Sequence, residues 1–412
     1  MQKIYTELSL LQDEIKNSST NIVLVGPVKL TKIFALECYA QNQELYERIL
    51  YFMDDKYKGN KILEREVISL ETKLEEEILY YIISSSDHGM FVMYKKLIHF
   101  GVHDKNIFIQ ENANFITKLF IENYNLNKFN IIECGAFGGT GQIFRLEKTL
   151  KDSMKIYAFE ADNNELANLK SKNNQKYFFF NEIIDFLPKN SRKLYRISES
   201  GSWSFYKPNP QITHNYISSF STEIDKVYEE VITTKTTTID AILLETDEKI
   251  DYLYINIDSA EYYAIQGALN SLKNKQINTL EIEVYFNDYF ENQPLFSDID
   301  KLMKENGYEL LNFRYPNLLV PMNSPFEIEK EKLIHFNAIY THNHMDISNL
   351  NNVLQHVAIL ELLGFPLKAF DMIKKILKVY PDETFNKTIV KIFEKYANVY
   401  NQTINIETFL EK

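Results

Sequence analysis

Apolar positions along the chain alternate between two rhythms, short continuous runs that suit buried strands and three-to-four-residue returns that suit helices. In the front part, the runs "NIVLVG" (21–26), "ERILYFMDD" (47–55), "REVISL", "EEEILYYIISSS" and "NIFIQ" predict strands. A helix is predicted from about Thr31 to Glu47 and an amphipathic one around Met90 to Phe100. This order is that of a small Rossmann-like α/β domain over 1–112. A connecting helix is predicted at 113–128, followed by a second series of strands: "NIIEC", "KIYAFEAD", "KYFFFNEII", "DYLYINID", "TLEIEVYF", "YELLNF" and "NAIYTH". Seven strands with intervening helices predict a doubly wound sheet in a domain over 113–345.

After "THNHMD" the rhythm is helical throughout, and Gly364, Pro366 and Pro381 divide it into three helices. Residues 346–412 therefore read as a helical appendix. Ala369, Ile373, Ile376 and Pro381 loosely match half of a tetratricopeptide repeat. One repeat cannot bury its own face, so the tail is expected to cap the body or to serve as a contact in a homo-oligomer. In the front domain the turn "VGPVKL" has Gly26 alone, without the further thin backbone points of a dinucleotide cradle. Asp54 and Asp55 stand where ribose hydroxyls could be accepted. A structural or protein-binding role is the first reading, with a nucleotide or sugar nucleotide as the alternative.

Composition narrows the class. The chain has 412 residues, 45% hydrophobic and 25% charged, which are values of a folded protein, and a formal net charge of −12 argues against a general nucleic-acid partner. The two cysteines, Cys38 and Cys134, exclude a disulfide framework and fit a reducing compartment. The N-terminus has acids among its apolar residues and no run of 18 apolar residues occurs, so a cytoplasmic protein without a signal peptide or transmembrane segment is expected.

The chemistry concentrates in "NIIECGAFGGTGQIF", where Gly135, Gly138, Gly139 and Gly141 fall close together although the chain has only twelve glycines. A phosphate loop of the Walker type is excluded, because no Lys-Ser or Lys-Thr follows. The spacing of Gly135, Gly139 and Gly141 also suits a short-chain dehydrogenase with NAD(P). Those enzymes need a Tyr with a Lys four residues later, and no tyrosine after Gly141 has one. The remaining pattern, Glu133 two residues before Gly135 with Gly139 four later, suits S-adenosylmethionine: glycines give room to its methionine and ribose parts, and Glu133 meets its ammonium. Glu160 ends the next strand, where its two oxygens can accept both ribose hydroxyls.

These residues, with "IYAFEADNNELANLK", "TTTIDAIL", "KIDYLYINIDSAEYYAIQGA" and "TLEIEVYF", resemble the FkbM-type family of S-adenosylmethionine methyltransferases over about 130–286. The resemblance implies a class I methyltransferase fold and O-methyl transfer to a hydroxyl of a sugar, glycan or nucleotide-sugar-like acceptor. It places Glu133, Gly135, Ala136, Phe137, Gly139, Glu160 and Ala161 around the cofactor, and Asp185 near its adenine amine. The chain departs from the family's Ile-Lys-Ile-Asp-Val-Glu-Gly-Ala-Glu at "INIDSAE": Asn256 replaces the lysine and two residues are missing before Ala260. A noncatalytic assembly protein that keeps the fold is therefore the alternative from another class.

A hydroxyl acceptor must lose its proton as it attacks. Asp258, at a strand's C-terminal end, is the first candidate base, followed by Glu283 and His214. The loop 198–210 holds the chain's one tryptophan, Trp203, near Tyr206 and Arg196, residues able to stack on a sugar ring and bind a phosphate. Asp240 is expected to shape the chain before the next strand. His342 and His344, with Asp346 next, fall on one side of an extended strand in a geometry able to hold a metal, but no further ligand at fixed spacing is visible, so no metal is expected.

Overall fold

The computed structural model describes residues 20–74, 78–84, 87–109, 114–136, 143–171, 176–196, 203–213, 216–218, 229–246, 248–321, 332–380 and 382–399. The chain folds as two compact units, one of residues 1–126, 141–151 and 353–412 and the other of residues 127–140 and 152–352.

The first unit contains strands β1 (Asn21–Val25), β2 (Ile49–Met53), β3 (Lys61–Ile62), β4 (Arg65–Ile68), β5 (Ile78–Ile82) and β6 (Ile107–Ile109), in the spatial order β3-β4-β2-β1-β5-β6. Apart from the β3–β4 hairpin, all pairings are parallel. The central strands are apolar on both faces, as parallel strands covered by helices must be. The first helix runs Val28–Gln41, starting three residues earlier than its periodicity suggests. Pro27 presets φ at −52° before it, and Asp54 Oδ2 accepts the amide of Val28 at 3.0 Å.

Helices Phe115–Asn123, Leu350–Leu362 from Val353 on, Pro366–Val379 and Glu383–Val399 also belong to this unit, the last three at the places predicted for the appendix. Ala369, Ile373 and Ile376 are fully buried, so the repeat-like face is used inside the unit. Glu361 fastens these helices together. Its carboxylate accepts the amides of Ile116 and Thr117 at 2.8 Å each, the Thr117 hydroxyl at 2.8 Å and the Tyr396 hydroxyl at 2.6 Å. The buried acid thereby caps a helix start that would otherwise bury unsatisfied N–H groups.

The second unit contains β7 (Phe129–Cys134), β8 (Met154–Phe159), β9 (Tyr177–Phe180), β10 (Ile183–Ile184), β11 (Lys189–Arg196), β12 (Trp203–Ser204), β13 (Tyr216–Ser218), β14 (Glu229–Thr237), β15 (Ile250–Ile255), β16 (Ile277–Tyr285), β17 (Tyr308–Pro321) and β18 (Lys332–His342). Eight of them form one sheet in the order β13-β17-β18-β16-β15-β7-β8-β9. From β16 to β9 the pairs are parallel, and β18 runs antiparallel between β16 and β17. The seven predicted strands are all present, and the doubly wound topology reverses direction between β7 and β15. The sequence pattern did not foresee the second, four-stranded sheet, β10-β14-β11-β12, inserted in the chain between β9 and β15. Its strands carry Lys, Arg, Thr and Ser among few apolar residues, so no apolar rhythm marks them.

No described helix is long and apolar enough to cross a membrane. Both cysteines are buried free thiols, and burial pushes the Cys38 thiol up to about 12.

Candidate active site

In an open α/β sheet, ligands bind beyond the C-terminal ends of the strands where the strand order reverses. Here that point lies between β7 and β15. Gly135 follows β7 with φ +90°, and its amide and that of Ala136 both reach the carbonyl of Phe159, at 3.0 and 3.1 Å. A Cβ at Gly135 would lie 1.9 Å from the carbonyl oxygen of Asn256. The thin backbone at this glycine is thus required first by the neighbouring strand end. Phe137 and Gly139 lie outside the described residues, as does His214.

Glu133 is fully buried in β7, between Ala158 of β8 and Tyr254 of β15. Glu160 stands just past β8, also buried, with Oε1 accepting the amide of Asp162 at 2.7 Å. Burial raises its carboxyl to about 7 against the lowering effect of that amide. Ala161 is half-buried beside it. The two acids are therefore buried at the ends of adjacent parallel strands. The buried carboxylate of Asp185 pairs with Lys189 Nζ at 2.9 Å and Arg192 Nε at 3.6 Å, and accepts the Phe186 amide at 2.8 Å.

Beyond β15 the chain makes a tight turn in which Asp258 and Ser259 have φ of +49° and +79°. Such values are rare outside glycine, and the resembled pattern has glycine before Ala-Glu, where Ser259 stands. Ser259 Oγ donates to the carbonyl of Asp258 and lies 2.7 Å from Ser204 Oγ of β12. The inserted sheet is thereby fastened to the turn that carries Asp258.

Two further carboxylates stand behind this turn. Glu261 is buried and accepts the Ile257 amide at 2.9 Å; burial, then the charge of Glu283, hold its carboxyl well above the usual carboxylate range. Glu283 accepts from Asn256 Nδ2 at 3.2 Å and the Tyr285 hydroxyl at 2.9 Å, and lies 3.2 Å from His335 Nδ1. His335 Nε2 is in turn 2.7 Å from Asn317 Nδ2, brought opposite it by a bulge in β17 where Tyr315 has φ +54°. Asn337 extends the network, donating to Tyr254 Oη at 3.1 Å and to Glu281 at 2.9 Å. Of the three acids, Asp258 is the most exposed, and Glu283 is already surrounded by donors.

The sequence reading missed His335, Asn337 and Tyr263. His335 and Asn337 are two apart on one strand, a polar alternation that marks one face. Tyr263 follows Glu261 by two residues, and its hydroxyl lies 2.6 Å from that of Tyr206. Trp203 is half-buried in a strand paired with Arg196 and packs beside Ile183, Leu194, Phe205 and Ala260. Asp240 takes a structural part, accepting the Asn270 and Ser271 amides at 3.0 and 2.8 Å and the Ser271 hydroxyl at 2.6 Å. Among the described residues no group of three His, Cys, Asp or Glu side chains is placed to hold a metal ion, His342, His344 and Asp346 included.

The strand order defines a class I methyltransferase fold, with buried acids at the ends of β7 and β8. Residues 133–310 match the family model described as "Methyltransferase FkbM domain". Residues 133–310 form an FkbM-type methyltransferase domain, and its cofactor is S-adenosylmethionine. This decides against the dehydrogenase reading of the glycine spacing.

No curated protein matches the chain. Among solved structures it is similar to a precorrin-6y C5,15-methyltransferase from Geobacter metallireducens GS-15, with 9% identity over 55% of this chain and 86% of that one and a TM-score of 0.26. It is also similar to LepI in complex with SAM, with 8% identity over 62% of this chain and 52% of that one and a TM-score of 0.26, so it spans about half of LepI. TrmN from Thermus thermophilus is 7% identical over 83% of this chain and 78% of that one, with a TM-score of 0.26.

Proposed function

We propose that this methyltransferase acts on a hydroxyl of a sugar, glycan or nucleotide-sugar-like acceptor, and that Asp258 takes the hydroxyl proton. The observation that carries the reading is the turn after β15, at the reversal of strand order, in which Asp258 is partly exposed while Glu261 and Glu283 are buried.

When bound, S-adenosylmethionine supplies a methyl group on a sulfonium, open to in-line displacement. Glu160 would hold the ribose hydroxyls and Glu133 and Gly135 would line the methionine side. The chain's main contribution is alignment, because holding the acceptor oxygen in line replaces a bimolecular encounter by a local one. Asp258 accepts the hydroxyl proton as the oxygen–methyl bond forms. Glu283 does not serve as the base in this scheme. Its lone pairs face Asn256, Tyr285 and His335, an arrangement suited to fixing the strand end.

The inserted sheet supports a sugar-like acceptor. It brings Ser204 onto the Asp258 turn and Tyr206 onto Tyr263 of the helix that follows, with the Arg192 guanidinium 4.2 Å from the Phe205 ring. Rings of this kind stack on the apolar faces of sugars, and the hydroxyl pair can exchange hydrogen bonds with theirs. Isothermal titration of S-adenosylmethionine and S-adenosylhomocysteine, followed by turnover on sugars, sugar phosphates and nucleotide sugars, tests the reading. Loss of cofactor binding in Glu160→Ala with methylation of a sugar hydroxyl by the wild type supports it. Methylation confined to nitrogen or carbon acceptors sinks it.

A further inference from the structure

The inserted sheet carries a pair of cations that the methyl-transfer scheme does not use. Asp185 follows β10, and its fully buried carboxylate is shared by Lys189 and Arg192 of β11, at 2.9 and 3.6 Å. One carboxylate against two cations leaves a positive charge in excess, in a chain whose formal net charge is −12. The side chains of Lys189 and Arg192 are 30% and 26% exposed, so a solute can reach that excess charge.

Aromatic rings brace both cations. Lys189 Nζ stands 4.3 Å from the centre of the Phe186 ring, and Arg192 Cζ stands 4.2 Å from that of Phe205 and 5.8 Å from that of Tyr263. Phe205 is buried in one cluster with Ala260, two residues after Asp258, and its neighbour Ser204 meets Ser259. Tyr263 lies in the helix Glu261–Gln266 that leaves the same turn, and its hydroxyl bonds that of Tyr206. Burial, then this bond, hold the Tyr206 phenol above its ordinary value, and the Arg192 charge acts against them. The cations therefore stand beside the neutral rings and hydroxyls that adjoin the Asp258 turn.

Arg192 approaches Asp185 through Nε, and among the described residues its two terminal nitrogens have no hydrogen-bond partner. A ring takes the face of a guanidinium and leaves the N–H groups, which lie in its plane, for an oxyanion. A side chain braced in this way also loses less freedom when it binds.

We propose that Arg192, with Lys189 beside it, is a subsite for an anionic group of the acceptor, a phosphate or a carboxylate, so that the substrate class is a negatively charged sugar. The proposal rests on a sugar acceptor lying at the Asp258 turn. The anion balances the charge that Asp185 leaves in excess, and two parallel N–H···O bonds to it fix the orientation of the sugar. A neutral sugar would meet the same rings and leave the guanidinium without a counter-charge.

The test is titration of the whole chain, saturated with S-adenosylhomocysteine, with glucose, glucuronate, glucose 1-phosphate and UDP-glucose. Glucuronate against the two phosphate compounds tells which anion is preferred. The wild type is expected to bind at least one charged probe about tenfold more tightly than glucose, the scale of one charge-assisted bidentate pair. Arg192→Gln should abolish that preference and leave the affinity for glucose unchanged. Arg192→Lys keeps a cation beside Asp185 without the fork, should lose part of the preference, and remains informative if Arg192→Gln does not fold. Glucose bound as tightly as the charged probes, no charged probe bound at all, or either variant keeping the full wild-type preference overturns the subsite. Turnover tests the hydroxyl reading separately: a charged sugar that binds through Arg192 and is never methylated on oxygen overturns that reading and leaves the subsite standing.

Discussion

The Cβ absent from Gly135 is the space taken by the carbonyl oxygen of Asn256, 1.9 Å from where that atom would stand. The strand ends of β7 and β15 can approach only because residue 135 is glycine, and the same residue's φ of +90° excludes a side chain on backbone grounds as well. Gly135→Ala is expected to lose about 2–4 kcal/mol of stability, the range of strained-backbone and overpacking changes. Denaturant unfolding measures the loss, and titration should show weakened cofactor binding in whatever fraction remains folded.

If Glu160 holds the ribose as proposed, cofactor binding is expected to depend on pH. Its carboxyl is raised to about 7, mainly by burial. Ribose hydroxyls donate to the ionised form, so affinity should be full above about pH 7 and fall as pH drops through that value, by at most about tenfold per unit. Titrations between pH 5.5 and pH 8.5 (roughly two ionisation widths) should show this slope in the wild type and a nearly flat profile in Glu160→Gln.

Asp258→Asn separates catalysis from binding. The asparagine keeps the size of the side chain and cannot take a proton, so turnover should fall about 10²–10⁴-fold, the usual contribution of a general base. Affinity for S-adenosylhomocysteine should stay within about threefold. Equal turnover in the variant removes Asp258 as the base.

Glu361 governs the helical part of the first unit. Glu361→Ala leaves buried donors of Ile116, Thr117 and Tyr396 without their acceptor, and about 3–5 kcal/mol of destabilisation is expected in thermal or denaturant unfolding. Burial raises this carboxyl to about 7, above its unfolded value. The folded form thus holds the proton more tightly, so this group's contribution to stability is fullest below about pH 4.5 and is lost as pH rises through about 7. Glu361→Gln should remove that part of the pH dependence.

Much of the fold was legible before any coordinates. Parallel strands covered on both faces, such as Ile250–Ile255, must be apolar almost throughout, and that is a local signal carried by consecutive residues. The C-terminal helices were equally clear, because each repeats its apolar face several times between Gly and Pro breaks. Glu133, Glu160 and Asp258 could be singled out because strand ends are local and an acid there is conspicuous. The four-stranded insertion was not legible, since strands such as "KNSRKLYR" have no apolar alternation and are paired with residues far along the chain, as Lys189 is with Thr236.

The sequence by itself determined the kinds and order of the elements outside the inserted sheet and the cofactor class, because each rests on spacing within one or two elements. Tertiary structure alone decided which neighbours the site residues have. It turned Asp185 toward Lys189 and Arg192, surrounded Glu283 with Asn256, Tyr285 and His335, and assigned the helix after the glycines to the first unit. These choices depend on contacts between residues far apart in the chain, set when side chains compete for the same buried donors and space. No periodicity along the sequence encodes that competition.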